Sequence, residues 1–435
     1  MAMPSSPSPQ SADAATRVPA AADRGHAVVV GAGIVGVSSA LLLRRDGWRV
    51  TLLEREAGPA EGTSFGNAAV ISPESVVPTA SPGLFRELPR LLRDPLGPLA
   101  IRWRYLPQLA PWLLRFAAAA RPERIEAGSK ALAALLERAL PAHRSLAEEA
   151  GIGAMIQQRG WLSVAESPAV WEAFQAKLAL QRRRGVEFTV VTGPELRQFE
   201  PALKPLFTAG VYYPNIAHVV QNYRYTCALA EAARQRGVTF RRGEARGFAF
   251  GPDGVTAVDC GGERLACDAV VVAAGAWSKG LARQLGARLP LDTERGYHLT
   301  LPEPGVTLRL PVCSLDAGFV ATPLEDGLRL AGTDELGGLE LPPNWRRSEI
   351  LLEHARRWFA GLRAEGASRW MGFRPSFPDS LPVIDRSPRA RNAVLAFGHG
   401  HLGLTMGPRT GELVADLLAG RAPDLDLAPY AATRF

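Results

Sequence analysis

The segment Val28-Val29-Val30-Gly31-Ala32-Gly33-Ile34-Val35-Gly36 constrains this chain more than any other. An apolar run, suited to a buried parallel strand, reaches a glycine turn and continues into a helix-like stretch. Gly31 permits the sharp turn, Gly33 lets the backbone approach a pyrophosphate, and Gly36 lets the helix sit close on its strand. The helix N-terminus, with Ala32, Ile34 and Val35, then offers N–H groups and a positive dipole end to phosphate. Glu54 lies 18 residues beyond Gly36, at the end of a second apolar run, where a carboxylate meets a ribose. Together these predict a dinucleotide-binding βαβ unit; the alternative is a Gly-rich turn in some other α/β protein.

A chain of 435 residues suggests two or three domains. Its net charge of +7 comes from 50 Lys and Arg against 43 Asp and Glu, and nearly all the cations are Arg. The arginines are scattered, the longest cluster is Arg182-Arg183-Arg184, and no nucleic-acid motif accompanies them, so no nucleic-acid partner is expected. Cys227, Cys260, Cys267 and Cys313 have no C-x-x-C spacing and read as buried thiols in a reducing compartment, rather than metal ligands or disulfides. The histidines give no metal-ligand pattern. Residues 1–24, rich in Ala, Ser and Pro, read as a disordered tail without the features of a signal peptide. No run of 18 apolar residues predicts a spanning helix, and the expected location is the cytoplasm.

Residues 26–31, 50–54 and 269–274 read as buried parallel strands, and Gly33 to Arg45 as the first connecting helix. Between 84 and 120, short amphipathic helices are expected, broken by Pro89, Pro95, Pro98, Pro107 and Pro111. Residues 122–150 read as helical. Residues 154–165, 207–213, 296–301 and 318–332 read as strands of a second, mixed sheet. Gln221 to Arg236 reads as a helix and Val238 to Phe250 as a β-rich return to the first domain. The expected fold is α/β: an interrupted Rossmann-type nucleotide domain (25–84, 218–290 and 370–435) and an α+β cap domain on a mixed sheet (85–217 and 291–369).

Asp268-Ala269-Val270-Val271-Val272-Ala273-Ala274-Gly275-Ala276-Trp277-Ser278 resembles the Ala-Ala-Gly-Ala-Trp-Ser element of FAD-dependent amine oxidoreductases of the D-amino-acid oxidase superfamily. Thr63-Ser64-Phe65-Gly66-Asn67-Ala68 resembles the loop that runs beside the flavin, with Gly66 where bacterial D-amino-acid dehydrogenases carry Ala. Gly372-Phe373-Arg374-Pro375, followed by Asp379 and Pro382, resembles the family's Arg-Pro segment. Gly398-His399-Gly400-His401-Leu402-Gly403-Leu404-Thr405 resembles its final flavin-binding turn. These matches keep the family's order from residue 26 to about 418.

The resemblance implies non-covalent FAD as cofactor, because the loop near Ser64 holds no His or Cys to bond the ring. Its contacts are expected at Gly31, Ala32, Gly33, Ile34, Val35, Gly36, Glu54 and Arg55; at Thr63, Ser64, Asn67, Ala68 and Ala245; at Ala274, Gly275 and Trp277; and at Gly398, His399, Leu402, Gly403 and Thr405. The final helix, from about Thr405 to Ala419, is expected to aim its positive end at the flavin N1–C2=O edge. Arg374 is expected to hold the substrate carboxylate; the alternative is a structural ion pair with Asp379 or Asp385. Tyr297 and His298 are expected over the substrate, with ordinary sheet packing as the alternative, and His401 is expected against substrate or flavin. His218 is a further candidate, or a helix cap or surface residue.

The implied activity is oxidative deamination of D-amino acids by hydride transfer from Cα to flavin N5. The alternatives are oxidation of glycine, sarcosine, D-proline or D-hydroxyproline, or an FAD-binding subunit of an electron-transfer complex. Lys279 is the only lysine in a flavin-proximal motif, which favours a dehydrogenase with a quinone or respiratory-chain acceptor over an oxidase. Residues 84–120 would then touch the inner membrane face, or else form a helical cover over the site.

Overall fold

The computed structural model describes residues 24–80 and 97–435. Residues 1–23 and 81–96 lie outside the described residues, and with them the expected tail and the helices near Pro89 and Pro95. The first sheet has six strands in the order Thr239–Arg242, Arg49–Glu54, His26–Val30, Ala269–Val272, Ala393–Phe397, Val383–Arg386. The first five run parallel and the last is antiparallel. The short Val, Ala and Leu runs suit strands covered on both faces, and Ala27, Val28, Val29, Val270, Val271 and Leu395 are fully buried. The helix Ile34–Arg45 is buried along almost its whole length between this sheet and the helices Asn222–Gln235 and Gly403–Ala419. Gly407 and Gly411 let the last of these approach: a Cβ at 407 would stand 2.8 Å from Ile34, and one at 411 would stand 2.9 Å from Leu42.

The second sheet has nine strands. Eight lie in the order Ser368–Ser376, Asp292–Leu301, Gly327–Leu336, Phe319–Leu324, Val312–Ser314, Trp161–Ala165, Ala209–Tyr213, Thr189–Thr192, and Leu99–Ile101 adds beside the end of Gly327–Leu336. It is mixed, since Val312–Ser314 runs parallel to Trp161–Ala165. Its core gathers Phe319, Trp358 and Phe359 around the helix Arg346–Trp358. This is the expected α/β arrangement of a parallel sheet completed from distant parts of the chain and a mixed second sheet.

Several local expectations differ. Pro107 does not break a helix: it falls in the first turn of Leu106–Ala119, where its missing N–H has no partner to lose, and Pro111 lies inside the same helix. Ile156–Gln157 joins a small sheet with Val70–Ile71 and Ala217–Val219 rather than the large one. Gly247–Gly251 heads a separate antiparallel sheet with Gly254–Asp259 and Arg264–Ala266. Ser368–Ser376, placed by sequence with the nucleotide domain from residue 370, is an edge of the nine-stranded sheet. Of the cysteines only Cys267 is buried; all four are free thiols. No helix among the described residues is long and apolar enough to cross a membrane.

Candidate functional site

A cavity of about 520 Å³ lies between the two sheets. The C-terminal ends of four parallel strands line it at Val30, Glu54, Ala273 and Phe397, and the nine-stranded sheet lines it at Gly296, Ala331, Asp334, Trp370 and Arg374. Ligands of open α/β sheets bind beyond these strand ends.

The fingerprint residues are arranged for a dinucleotide. Gly31 has φ +101°, and a Cβ there would stand 2.6 Å from the carbonyl of Ala273. A Cβ at Gly36 would collide with the carbonyl of Gly31, so only glycine lets this helix lie on its strand. The helix carries no acidic residue in its first turn, which leaves its positive end for a phosphate. Glu54 accepts from the Ala32 amide at 2.6 Å and from the Glu56 amide at 3.1 Å, and it lines the cavity. Gly33, Ile34 and Val35 line it as well, whereas Ala32 and Gly36 stand behind. Arg55 stacks on Trp277, 3.7 Å from its ring centroid, and with Ala245, Ala274 and Gly275 completes this wall.

The loop Thr63 to Ala68 crosses the cavity and is tied from three sides. Thr63 Oγ1 donates to the Phe373 carbonyl at 2.7 Å. The fully buried Asn222 amide donates to the carbonyls of Ser64 and Phe65, at 2.7 and 2.8 Å. Arg329 donates to the Asn67 carbonyl at 3.1 Å and to Asn222 Oδ1. His298 completes the clamp: its Nδ1 lies 2.7 Å from the Gly66 carbonyl, its ring stacks on Trp370, and burial pushes its pKa down to about 3. The neutral ring therefore donates to that carbonyl. A Cβ at residue 66 would stand 2.6 Å from His298 Cε1 and strike the Trp370 ring, which explains glycine there. His298, expected over the substrate, lies outside the cavity lining and supports this loop.

The strand pair Asp292–Leu301 and Ser368–Ser376 sets Glu294 opposite Arg374, Gly296 opposite Gly372, and His298 opposite Trp370. Alternate residues share one face. The two glycines clear a floor: a Cβ at 296 would collide with the Arg374 guanidinium, and one at 372 with the Trp370 ring. Arg374 Nη1 donates to the Thr333 carbonyl at 3.2 Å and pairs with Asp334. Thr333 holds φ +57°, a left-handed conformation costing of order 1–3 kcal/mol, at the register shift within the strand Gly327–Leu336 that precedes Asp334. Asp379 instead pairs with Arg434, and Asp385 accepts from the Arg386 and Ala432 amides, so the expected alternative partners of Arg374 are otherwise engaged. Tyr297 touches the cavity, but its hydroxyl is occupied by Glu335 at 3.2 Å and the Asn344 amide at 2.9 Å, neither of which lines it. On this side the cavity is lined by Trp370, Asp334, Gly296 and Gly372, while the Tyr297 hydroxyl is turned to partners outside it.

His401 Nε2 lies 2.7 Å from Glu294 Oε2 and 3.9 Å from Asp334. Burial and Arg374 push this imidazole down, but Asp334 and Glu294 outweigh them and hold it above its usual value. Burial opposes charge on Glu294, yet His401 and Arg374 keep its carboxyl below the ordinary range. No metal was expected; Glu294, Asp334 and His401 do bring ligand atoms within 4.8 Å of one another, but Arg374 already supplies the cation against Asp334.

In the last turn, Leu402 and Gly403 line the cavity, and Gly403–Ala419 forms the final helix, again with no acid in its first turn. Gly398 adopts φ +88° against Phe377. The His399 ring is turned inward to Thr410 at 2.9 Å, with its pKa pushed by burial to about 3. The Thr405 hydroxyl accepts from the Ser72 amide at 3.1 Å, bracing the helix start against Val70–Ile71. His218 is buried beside Val70 and Gln157, away from the cavity lining.

Residues 26–417 match the family described as FAD dependent oxidoreductase. The chain belongs to this FAD-dependent oxidoreductase family. A D-amino-acid oxidase of Bradyrhizobium diazoefficiens is 42% identical over 416 residues, covering 94% of this chain and 99% of the relative. A D-amino acid dehydrogenase of Methylobacterium radiotolerans is 34% identical over 420 residues, covering 94% and 100%. The glycine oxidase from Geobacillus kaustophilus shares the fold, with a TM-score of 0.73 at 23% identity, covering 94% of this chain and 99% of that structure.

Sequence reasoning about this oxidoreductase missed Glu294, Asp334, Trp370 and Asn222. Trp370 was within reach: it shares period-2 parity with Gly372 and Arg374. Glu294 follows by strand pairing once Gly296 is set against Gly372. Asp334 had no local signal, since its position depends on the register shift around Thr333 within its strand. Lys279 is exposed on the helix Ser278–Gln284 and does not line the cavity.

Proposed function

We propose that this FAD-dependent oxidoreductase oxidises the α-carbon of D-amino acids. Arg374 carries the reading. Its Nη1 is committed to Thr333 and Asp334, while Nε and Nη2 make no hydrogen bond among the described residues. A carboxylate taken on those donors is fixed in plane, and with it one face of Cα. Asp334, beside the guanidinium, is placed for the α-ammonium. When bound, the flavin supplies the hydride acceptor. The α-ammonium first gives up one proton to solvent; the freed nitrogen lone pair then forms C=NH2+ as the Cα–H bond gives up its hydride, and water replaces the nitrogen, releasing ammonium and a 2-oxo acid. Trp370 and the Thr63–Ala68 loop exclude water from the reacting carbon.

FAD would lie along Gly31, Gly33 and Glu54, with its ring near the final helix, held without a covalent bond. His399 is engaged by Thr410 and His401 by Glu294, which supports non-covalent binding. The names of the relatives support D-amino acids over glycine or secondary amines.

Two readings of the acceptor each have an observation behind them. The 42% identical relative is named an oxidase, which favours oxygen. Exposed Trp103, just before the helix Leu106–Ala119, and exposed Leu114 within it favour a membrane-borne quinone. The test is a panel of D- and L-amino acids, glycine and N-methyl amines, assayed for 2-oxo acid and ammonia with oxygen or a soluble quinone. Turnover of D-amino acids alone supports the proposal; turnover confined to sarcosine or L-amino acids refutes it.

A further inference from the structure

The final helix carries a defect in its first turns. In an α-helix the carbonyl of residue 404 accepts from the amide of residue 408. Residue 408 is Pro408, which has no N–H. A buried carbonyl left without a donor is costly. Here a side chain from elsewhere fills the gap. His143, on the helix Ala139–Glu149 and fully buried, places Nε2 2.7 Å from the Leu404 carbonyl oxygen. Its Nδ1 lies 2.9 Å from the Tyr225 hydroxyl.

The partners fix the proton. A carbonyl can only accept, so Nε2 carries the hydrogen. Burial lowers the pKa of His143 to about 4, so the ring is neutral and Nδ1 accepts from Tyr225. Tyr225 stands on the helix Asn222–Gln235, whose first residue, Asn222, holds the carbonyls of Ser64 and Phe65. Leu404 and Ser64 both line the cavity. Through the helix that carries both Asn222 and Tyr225, the contacts Ser64–Asn222 and Tyr225–His143–Leu404 therefore join the loop and the helix start on which the cofactor ring would rest.

We propose that His143 is a positioning residue for bound FAD: it supplies the hydrogen bond that Pro408 cannot, and so fixes the first turn of the final helix against the flavin. The proposal rests on the reading that this helix opens onto the isoalloxazine.

The test is a double-mutant cycle in the full-length holoprotein: wild type, His143→Phe, Pro408→Ala and the pair, with His143→Gln as the variant that keeps a donor. The readouts are the FAD dissociation constant, the reduction potential and visible spectrum of the bound flavin, and the thermal midpoint. With Pro408 present, His143→Phe is expected to weaken FAD binding by about tenfold and to lower the potential; His143→Gln is expected to retain most of both. In the Pro408→Ala background the restored backbone amide can reach the Leu404 carbonyl, and the same Phe substitution is expected to cost about twofold or less. If His143→Phe folds only when combined with Pro408→Ala, the coupling is met in its strongest form. Equal losses in both backgrounds, a lower thermal midpoint with unmoved FAD readouts, or failure to fold in both backgrounds overturns the proposal. Normal D-amino-acid turnover with a flat cycle removes His143 alone; an intact cycle in a protein that oxidises no D-amino acid removes the substrate reading alone.

Discussion

The guanidinium of Arg374 lies directly over Gly296, in the space that any side chain at 296 would fill. The two residues are brought together by the pairing of Asp292–Leu301 with Ser368–Ser376. Gly296→Ala should therefore displace the arginine without removing it. Lost charge-assisted hydrogen bonds are worth about 1.5–3 kcal/mol, so KM for carboxylate substrates should rise roughly 10- to 100-fold, with FAD content unchanged. Steady-state kinetics on the flavin-loaded variant checks this, and an unchanged KM removes Arg374 as the carboxylate anchor.

Asp334 places a negative charge beside that anchor. A substrate with a second carboxylate should be disfavoured by about 1 kcal/mol at this partly exposed site. Asp334→Asn should raise kcat/KM for D-glutamate relative to D-alanine by about fivefold. The ratio is the measurement; no change in it excludes Asp334 from substrate selection.

His401 owes its charge to Asp334 and Glu294. As pH rises through its elevated pKa the site loses one positive charge, so affinity for an inert carboxylate such as acetate should weaken. Glu294→Gln removes one of the two carboxylates and should move that midpoint to lower pH. Acetate titrations of the holoprotein between pH 5 and 9 report it directly; an unmoved midpoint contradicts the assigned pair.

Four buried histidines make the fold sensitive to acid. Burial lowers His143 and His218 to about 4, and His298 and His399 to about 3. Between these values and the ordinary value near 6.5, the unfolded chain binds more protons, so stability rises with pH. Their contribution is complete above about pH 6.5 and is lost as pH falls through 4. Each pKa unit is worth about 1.4 kcal/mol. Glu74, raised by burial to about 8, opposes this with one group whose contribution fades from pH 4.5 to 8. The thermal midpoint should climb steeply from pH 4.5 to 6.5; a flat profile would show these rings to be solvated.

The nucleotide half was legible because its signals are local. Gly31, Gly33, Gly36 and Glu54 fall within one βαβ unit, and backbone sterics alone dictate the glycines. The final helix and Arg374 were legible through motif resemblance. What escaped was set by pairing between distant strands. Whether His298 faces substrate or a loop carbonyl depends on its being opposite Trp370, and no local periodicity contains that register. Asn222 reads as an ordinary helix start until Ser64 and Phe65 are folded against it. Pro107 looked like a breaker because its position in the first turn depends on where the helix begins.

The most direct measurement is anaerobic mixing of the FAD-loaded protein with D-alanine and, separately, L-alanine while following the visible flavin band. The account expects the D-enantiomer to bleach the band in the wild type, the L-enantiomer to leave it intact, and Arg374→Ala to require a far higher D-alanine concentration. A fully loaded protein whose band no D-amino acid bleaches, or one reduced equally well by both enantiomers, would contradict it.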